Sequence, residues 1–250
     1  MRPRLLLALA AALVLVPAAL LLAFRMPEFG AHPLPYGDAA TALMLHERHV
    51  TNMVSGVNFD LRAIDTLGEE IMLLAAVGGA VMLLRGARGE GGQRRAAAIP
   101  GRPIPRRSEA VVLLCRLLAP VTLLFGLYVV LHAQLTPGGG FQGGVIIASA
   151  MLLVWLGEGY AAWRRMLPGP LLHALEGGGA ALYALAGLAG LALGDAFLAN
   201  VLPPGESGSL LSGGLIPLLN LGVALAVAGG FAMLFLEFLE ETRAPEEGEE

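Results

Sequence analysis

Six long apolar blocks constrain this chain more than anything else in it. They cover about residues 5–24, 66–84, 111–131, 144–163, 177–197 and 214–238. Each is close to the roughly 20 residues that an α-helix needs to cross bilayer hydrocarbon at about 1.5 Å per residue. The blocks are continuous rather than alternating, and an unclosed sheet cannot satisfy its backbone in lipid, so strands are disfavoured. The expectation is an all-α integral membrane protein with six transmembrane helices, two plus four. Composition agrees: only 14% of the residues are charged, against about 25% in a soluble domain. The first block has an Arg-flanked start like a signal peptide. Its core exceeds the usual apolar length of such peptides and holds Pro17, which favours a retained anchor.

All 16 basic residues are arginine. The lack of lysine excludes Walker-type phosphate loops, Schiff-base chemistry and lysine proton relays. The single cysteine, Cys115, excludes an internal disulfide and a thiolate metal cluster. If every block crosses and the N-terminus is cytoplasmic, twelve arginines lie inside and three, Arg25, Arg48 and Arg62, lie outside. Arg116, about one turn into the third helix, can snorkel to the inner face. This asymmetry follows the positive-inside rule and places both termini in the cytoplasm. Were residues 42–62 to cross the membrane instead, everything after them would invert.

The blocks group into modules. Residues 1–85 hold two helices and an external segment, which the repeat of Val50, Met53, Val54, Val57 and Leu61 marks as an amphipathic helix. Residues 86–107 are rich in Arg, Gly and Pro and read as a flexible cytoplasmic linker. Its charge suits topology control and anionic lipid headgroups rather than nucleic acid. Residues 108–240 hold four closely spaced helices, and 241–250 form an acidic tail.

Charged groups at membrane depth are costly and therefore functional candidates. The densest cluster is FDLRAIDTLGEE at 59–70, where Arg62, Asp65, Thr66 and Glu69 share one helical face. Carboxylates beside a guanidinium can hold a shared proton or a hydrated cation. The competing reading is structural: Thr66-Leu67-Gly68-Glu69 has the form of a capping box. Glu70 is the weaker candidate. Glu158, with Arg164 and Arg165 nearby, is a candidate proton-handling group, and His132 and Gln134 flank a turn where they can line a polar path. His173 and Glu176 precede the fifth block, Asp195 lies near its outer end and Glu237 ends the sixth, where helix-end solvation accounts for them. His46 and His49 lack a third metal ligand, so no metal site is expected. The turn itself runs Pro137, Gly138, Gly139, Gly140, Phe141, Gln142, Gly143, Gly144. Its glycines permit unusual backbone angles and close helix approach, so a turn and packing role is preferred to an anion nest.

Two stretches resemble known families. Residues 117–153, through the run PGGGFQGG at 137–144, resemble the MnhB/MrpB subunit of Mrp-type Na+/H+ antiporters, a domain shared with membrane-bound hydrogenases. Residues 52–85 resemble the C-terminal, MbhE-like part of the MrpA subunit, with Ala63 where that pattern has glycine. The resemblance implies a bacterial inner-membrane subunit that is not an enzyme and carries no cofactor. Its implied partners are other Mrp-type or hydrogenase-type membrane subunits, the lipid bilayer, and Na+ and H+ as transported ions. It maps a path role onto Arg62, Asp65 and Glu69, and a structural or gating role onto the 137–144 turn. The resemblance implies that the ion-driving subunits of such complexes use lysines and glutamates buried in their helices, so a lysine-free chain is expected to be an accessory subunit that builds the membrane arm. Two alternatives remain open: a subunit of a hydrogenase or complex-I-like redox pump, and a scaffold that carries no ions.

Overall fold

A computed structural model of the chain describes residues 3–26, 35–88 and 107–242. Among the described residues the regular elements are all helical. They divide into two units, 1–39 and 40–250. The first holds α1 (Pro3–Phe24), which keeps Pro17 within a continuous helix. From Leu9 onward its apolar side chains are exposed. The linker and acidic tail expected from the sequence lie largely outside the described residues.

Five helices are long and apolar enough to cross a bilayer. They belong to α4 (Ala63–Arg88), α5 (Glu109–Leu131), α6 (Gly140–Glu158), α8 (Gly169–Gly194) and α9 (Ile216–Thr242). Shorter elements accompany them: α2 (Pro35–His46), α3 (Met53–Gly56) and a π-helical turn (Val57–Leu61) precede α4, and α7 (Tyr160–Met166) lies between α6 and α8. The described apolar run of α1, Leu9–Phe24, is shorter than the five spans. Residues 42–62 hold no helix long enough to cross.

Helix α9 is the axis of the bundle. Its apolar window is 67% buried, against 17–33% for the other spans, and α4, α5, α6 and α8 all pack on it. Lipid is as apolar as leucine, so helix association here rests on close packing rather than on escape from water. Small residues supply that contact. A Cβ on Gly222 would lie 3.1 Å from the Gly179 carbonyl oxygen, and one on Gly229 would lie 2.6 Å from the Glu176 nitrogen. The buried positions of α8, Leu172, Glu176, Gly179, Tyr183, Ala186 and Gly190, keep the alternating three- and four-residue spacing of one face. Around this contact Leu219, Val223, Val227 and Tyr183 form one core cluster, and Val77, Trp163, Leu172, Met233 and Leu236 a second.

Several expected boundaries move. The fourth block breaks at Gly159, whose φ of +88° suits glycine, so 160–166 become a separate short helix. The fifth helix starts eight residues earlier than expected, at Gly169, and ends where Asp195 turns left-handed. Of the expected apolar repeat, Val50 is buried and Met53 packs on the first core cluster, whereas Val54 is 62% exposed, and Ser55, Gly56 and Phe59 also face inward. The π-helical turn adds a residue to the repeat and rotates the following positions.

Candidate functional site: buried polar groups along the central helix

Polar side chains line the helix contacts at three levels. At the first, Asn52 caps α3 by accepting from the Ser55 N–H (3.4 Å). Its amide donates to the carbonyls of Ala133 (2.7 Å) and Thr136 (2.9 Å). The Thr51 and Asn52 N–H groups both donate to the Gln134 carbonyl (3.1 Å). From α9, Asn220 Nδ2 donates to Ser55 Oγ (3.0 Å), while its Oδ1 accepts from the Gly140 N–H (2.8 Å). Three segments far apart in sequence are thus tied at one point.

This knot explains the glycine turn. Gly138 and Gly139 have φ of +152° and +155°, conformations that side chains oppose. Gly140 lies against the Asn220 carbonyl, and a Cβ there would come within 2.7 Å of Val223 Cβ. A Cβ on Gly144 would meet Val227 at 2.7 Å, and Gly143 packs against Val130 and Gly126. Phe141 packs on the first core cluster and Gln142 is exposed. Pro137, also exposed, precedes the turn.

At the second level lie the acids at the start of α4. Arg62 Nε donates to Asp65 Oδ2 at 2.6 Å, and both side chains are exposed. Glu69 is exposed too, whereas Thr66 and Glu70 are each only 2% exposed. The capping-box expectation fails here. Thr66 sits inside α4 and its hydroxyl donates to the Asn58 carbonyl (2.7 Å). Ala63, Thr66, Glu70, Val77 and Val81 form the inward face. That face turns Glu70 inward and leaves Arg62, Asp65 and Glu69 on the other side. Glu176 of α8 is also buried, at 7% exposure. The Tyr183 hydroxyl donates to the Ala63 carbonyl (2.8 Å) one level away.

At the third level Arg85 pairs with Glu237 at 2.7 Å, Glu237 being 1% exposed. The expectation that Glu237 merely ends its helix in solvent is therefore corrected. Glu176 is likewise inside α8 rather than before it. The remaining candidates are dispersed: Glu158 pairs with Arg116 across α5 and α6, and His132 stacks on Tyr128 with ring centroids 4.1 Å apart. No hydrogen bond or ion pair among the described residues links Glu69, Glu158 or His132 to the Arg62–Asp65 pair. Gln134 is fully buried and donates to the Leu210 carbonyl (2.7 Å). His49 Nδ1 lies 3.2 Å from Ser207 Oγ. Among the described residues no group of three His, Cys, Asp or Glu is placed to hold a metal ion.

These features define a multi-pass helical membrane protein with polar groups sequestered at its helix contacts. A family described as a domain related to the MnhB subunit of Na+/H+ antiporter matches residues 110–233. An uncharacterized protein of Methanocaldococcus jannaschii is 31% identical over 205 residues, covering 73% of this chain and 75% of that protein. A Na+/H+ antiporter subunit of Bacillus subtilis is 33% identical over 85 residues, covering 34% of this chain and 59% of the relative. Among solved structures, a chain of the membrane-bound sulfane sulfur reductase, an archaeal respiratory membrane complex, aligns with a TM-score of 0.75 at 28% identity. That alignment covers 96% of this chain and 99% of the other. A chain of the Mrp complex from Dietzia sp. DQ12-45-1b aligns with a TM-score of 0.72 over all of this chain and 27% of its own length. At 24% identity that likeness is one of fold. The chain belongs to the MnhB-related family of membrane proteins.

Proposed function

We propose that this chain is an accessory membrane subunit of an Mrp-type monovalent cation/proton antiporter, working in a hetero-oligomer with other membrane subunits. The observation that carries this reading is the MnhB-related domain at 110–233, together with the similarity to the Bacillus subtilis antiporter protein. In this reading the chain resides in a bacterial inner membrane, α1 is a sixth span and both termini are cytoplasmic. Residues 1–85 form an MrpA C-terminal, MbhE-like module, 86–107 its linker, 108–240 the MnhB-like domain and 241–250 a tail. Alignment of the whole chain within a longer Mrp-complex chain supports such a continuous pair of modules.

The subunit carries out no chemistry of its own and needs no cofactor. It contributes the exposed Arg62, Asp65 and Glu69 to an ion path at the rim of the bundle. Glu158 and His132 are accessory candidates for the same path. The 137–144 turn holds the helices in register through Gly140 and Asn220. A second reading rests on the sulfane sulfur reductase likeness, which covers nearly the whole of both chains. It keeps the architecture and places the subunit in a respiratory redox complex. Affinity purification of the tagged full chain from its native membranes separates the two. Recovery of antiporter subunits supports the first reading, and recovery of iron–sulfur subunits in their place supports the second.

A further inference from the structure

We infer that a water molecule is bound between the side chains of Gln134 and Ser212, at the end of the bundle where α5 finishes and α9 begins. Both residues are fully buried. Gln134 Oε1 and Ser212 Oγ have no hydrogen-bond partner among the described residues. A buried oxygen that is left unpaired forfeits its hydration, so such groups in folded chains are answered by protein or by ordered water.

Contacts around the two side chains close a ring. Gln134 Nε2 donates to the Leu210 carbonyl at 2.7 Å, two residues before Ser212. The Gln134 carbonyl accepts from the Thr51 and Asn52 N–H groups at 3.1 Å. Val50, next to Thr51, lies against Gly213, next to Ser212, since a Cβ on Gly213 would come within 2.8 Å of Val50 Cγ2. Gly205 backs the ring, and a Cβ there would lie 3.2 Å from Ser212 Cα. The ring thus runs from Gln134 through Leu210, Ser212, Gly213, Val50 and Thr51 back to Gln134.

Donor and acceptor chemistry selects the occupant. An amide oxygen only accepts, whereas a hydroxyl both donates and accepts. Water can donate to Gln134 Oε1 and still donate to Ser212 Oγ or accept from it. An anion would face the Gln134 oxygen unfavourably, and no carboxylate belongs to the ring to hold a cation. The charged groups near by are engaged or turned outward: Arg48 pairs with Asp60 at 2.8 Å, and Glu206 is exposed. His49 Nδ1 lies 3.2 Å from Ser207 Oγ. The bound water extends the Asn52–Asn220 knot to residues 204–213, fastening the connection between α8 and α9 to residues 50–52 and to the end of α5.

The test is water-edited solid-state NMR of the full chain in lipid bilayers, with 13C-labelled glutamine and asparagine. Exposed Gln142 marks fast transfer from water. Asn220 is the dry reference, being fully buried with both ends of its amide bonded within the protein. Gln134 Cδ is expected to receive magnetisation from water ahead of Asn220 Cγ. That lead is expected to be lost in Ser212→Ala, which leaves the Gln134–Leu210 bond in place. Transfer to Gln134 no faster than to Asn220 in the wild-type chain overturns the proposal, as does a lead that persists in Ser212→Ala. A Gln134 Cδ shift that moves when choline chloride is exchanged for sodium chloride identifies an alkali cation in the site, and it also overturns the proposal. If Ser212→Ala does not fold, the wild-type comparison decides alone.

Discussion

Arg85, in the last turns of α4, holds the buried carboxylate of Glu237 on α9 at 2.7 Å, across 152 residues of sequence. The pair pins the parallel helices α4 and α9 at the end opposite Asn220. Removing one partner of a buried pair strands the other charge, at a cost of about 3–5 kcal/mol when both are fully buried. Arg85 is 38% exposed, so water offsets part of that cost and Arg85→Ala is expected to destabilise by about 2–3 kcal/mol. Thermal unfolding in detergent, run as a double-mutant cycle with Glu237→Gln, checks this. Additive effects of the two changes would show that the contact is energetically idle.

Gly140→Ala is expected to disrupt the bundle, because its methyl group meets the Asn220 carbonyl and Val223. Overpacking of this kind costs about 1–3 kcal/mol or more. The control is Gly177→Ala on α8, which meets nothing within 4 Å and should stabilise by up to about 1 kcal/mol through helix propensity. Comparison of the two melting temperatures decides. Equal melting temperatures would contradict the packing role of the turn.

Arg62 and Asp65 form an exposed pair, and such pairs contribute about 0–1 kcal/mol. Asp65→Asn should therefore leave assembly and melting unchanged while lowering cation-dependent proton flux. A melting temperature that falls with the flux would make the residue structural. The same separation applies to Glu69→Gln.

With Cys115 replaced by Ser, Pro100→Cys and Glu206→Cys should react with impermeant reagents from opposite faces of the membrane. Helices α5, α6 and α8 lie between those positions. Labelling from one face would break this arrangement of spans. A reporter before α1 then tests whether the N-terminus is cytoplasmic, as the arginine distribution requires.

The positions of the spans are legible because apolar length is written directly in the chain, and α4, α5, α6, α8 and α9 all fall on expected blocks. Their ends are less legible. Gly159 and Asp195 stop helices by backbone conformation, which hydropathy does not report. Of the expected face at 59–70, Arg62, Asp65 and Glu69 share the exposed side, and Thr66 alone departs from it. Within α4, Thr66 and Glu70 lie on the inward face, which leaves Glu69 outward with Asp65. Spacing from Ala63 to Thr66, Glu70 and Val77 holds the signal, once Ala63 is taken as an inward residue. The glycines after Glu176 look like a helix boundary in the sequence; in the structure Gly179 is part of the close-packing surface against α9. The packing role of the turn at 137–144 can be read from its glycines. Its partner Asn220 sits inside an apolar run and carries no local sign of what it does.

Ion coupling is measured most directly in everted membrane vesicles. Energised to build a proton gradient, they should lose part of that gradient when Na+ is added, and only when this chain is present in the assembled complex. Vesicles lacking the chain, or carrying it with both Asp65→Asn and Glu69→Gln, should show no Na+ response. An unchanged response without the chain, accompanied by loss of a respiratory electron-transfer activity, would contradict the antiporter reading.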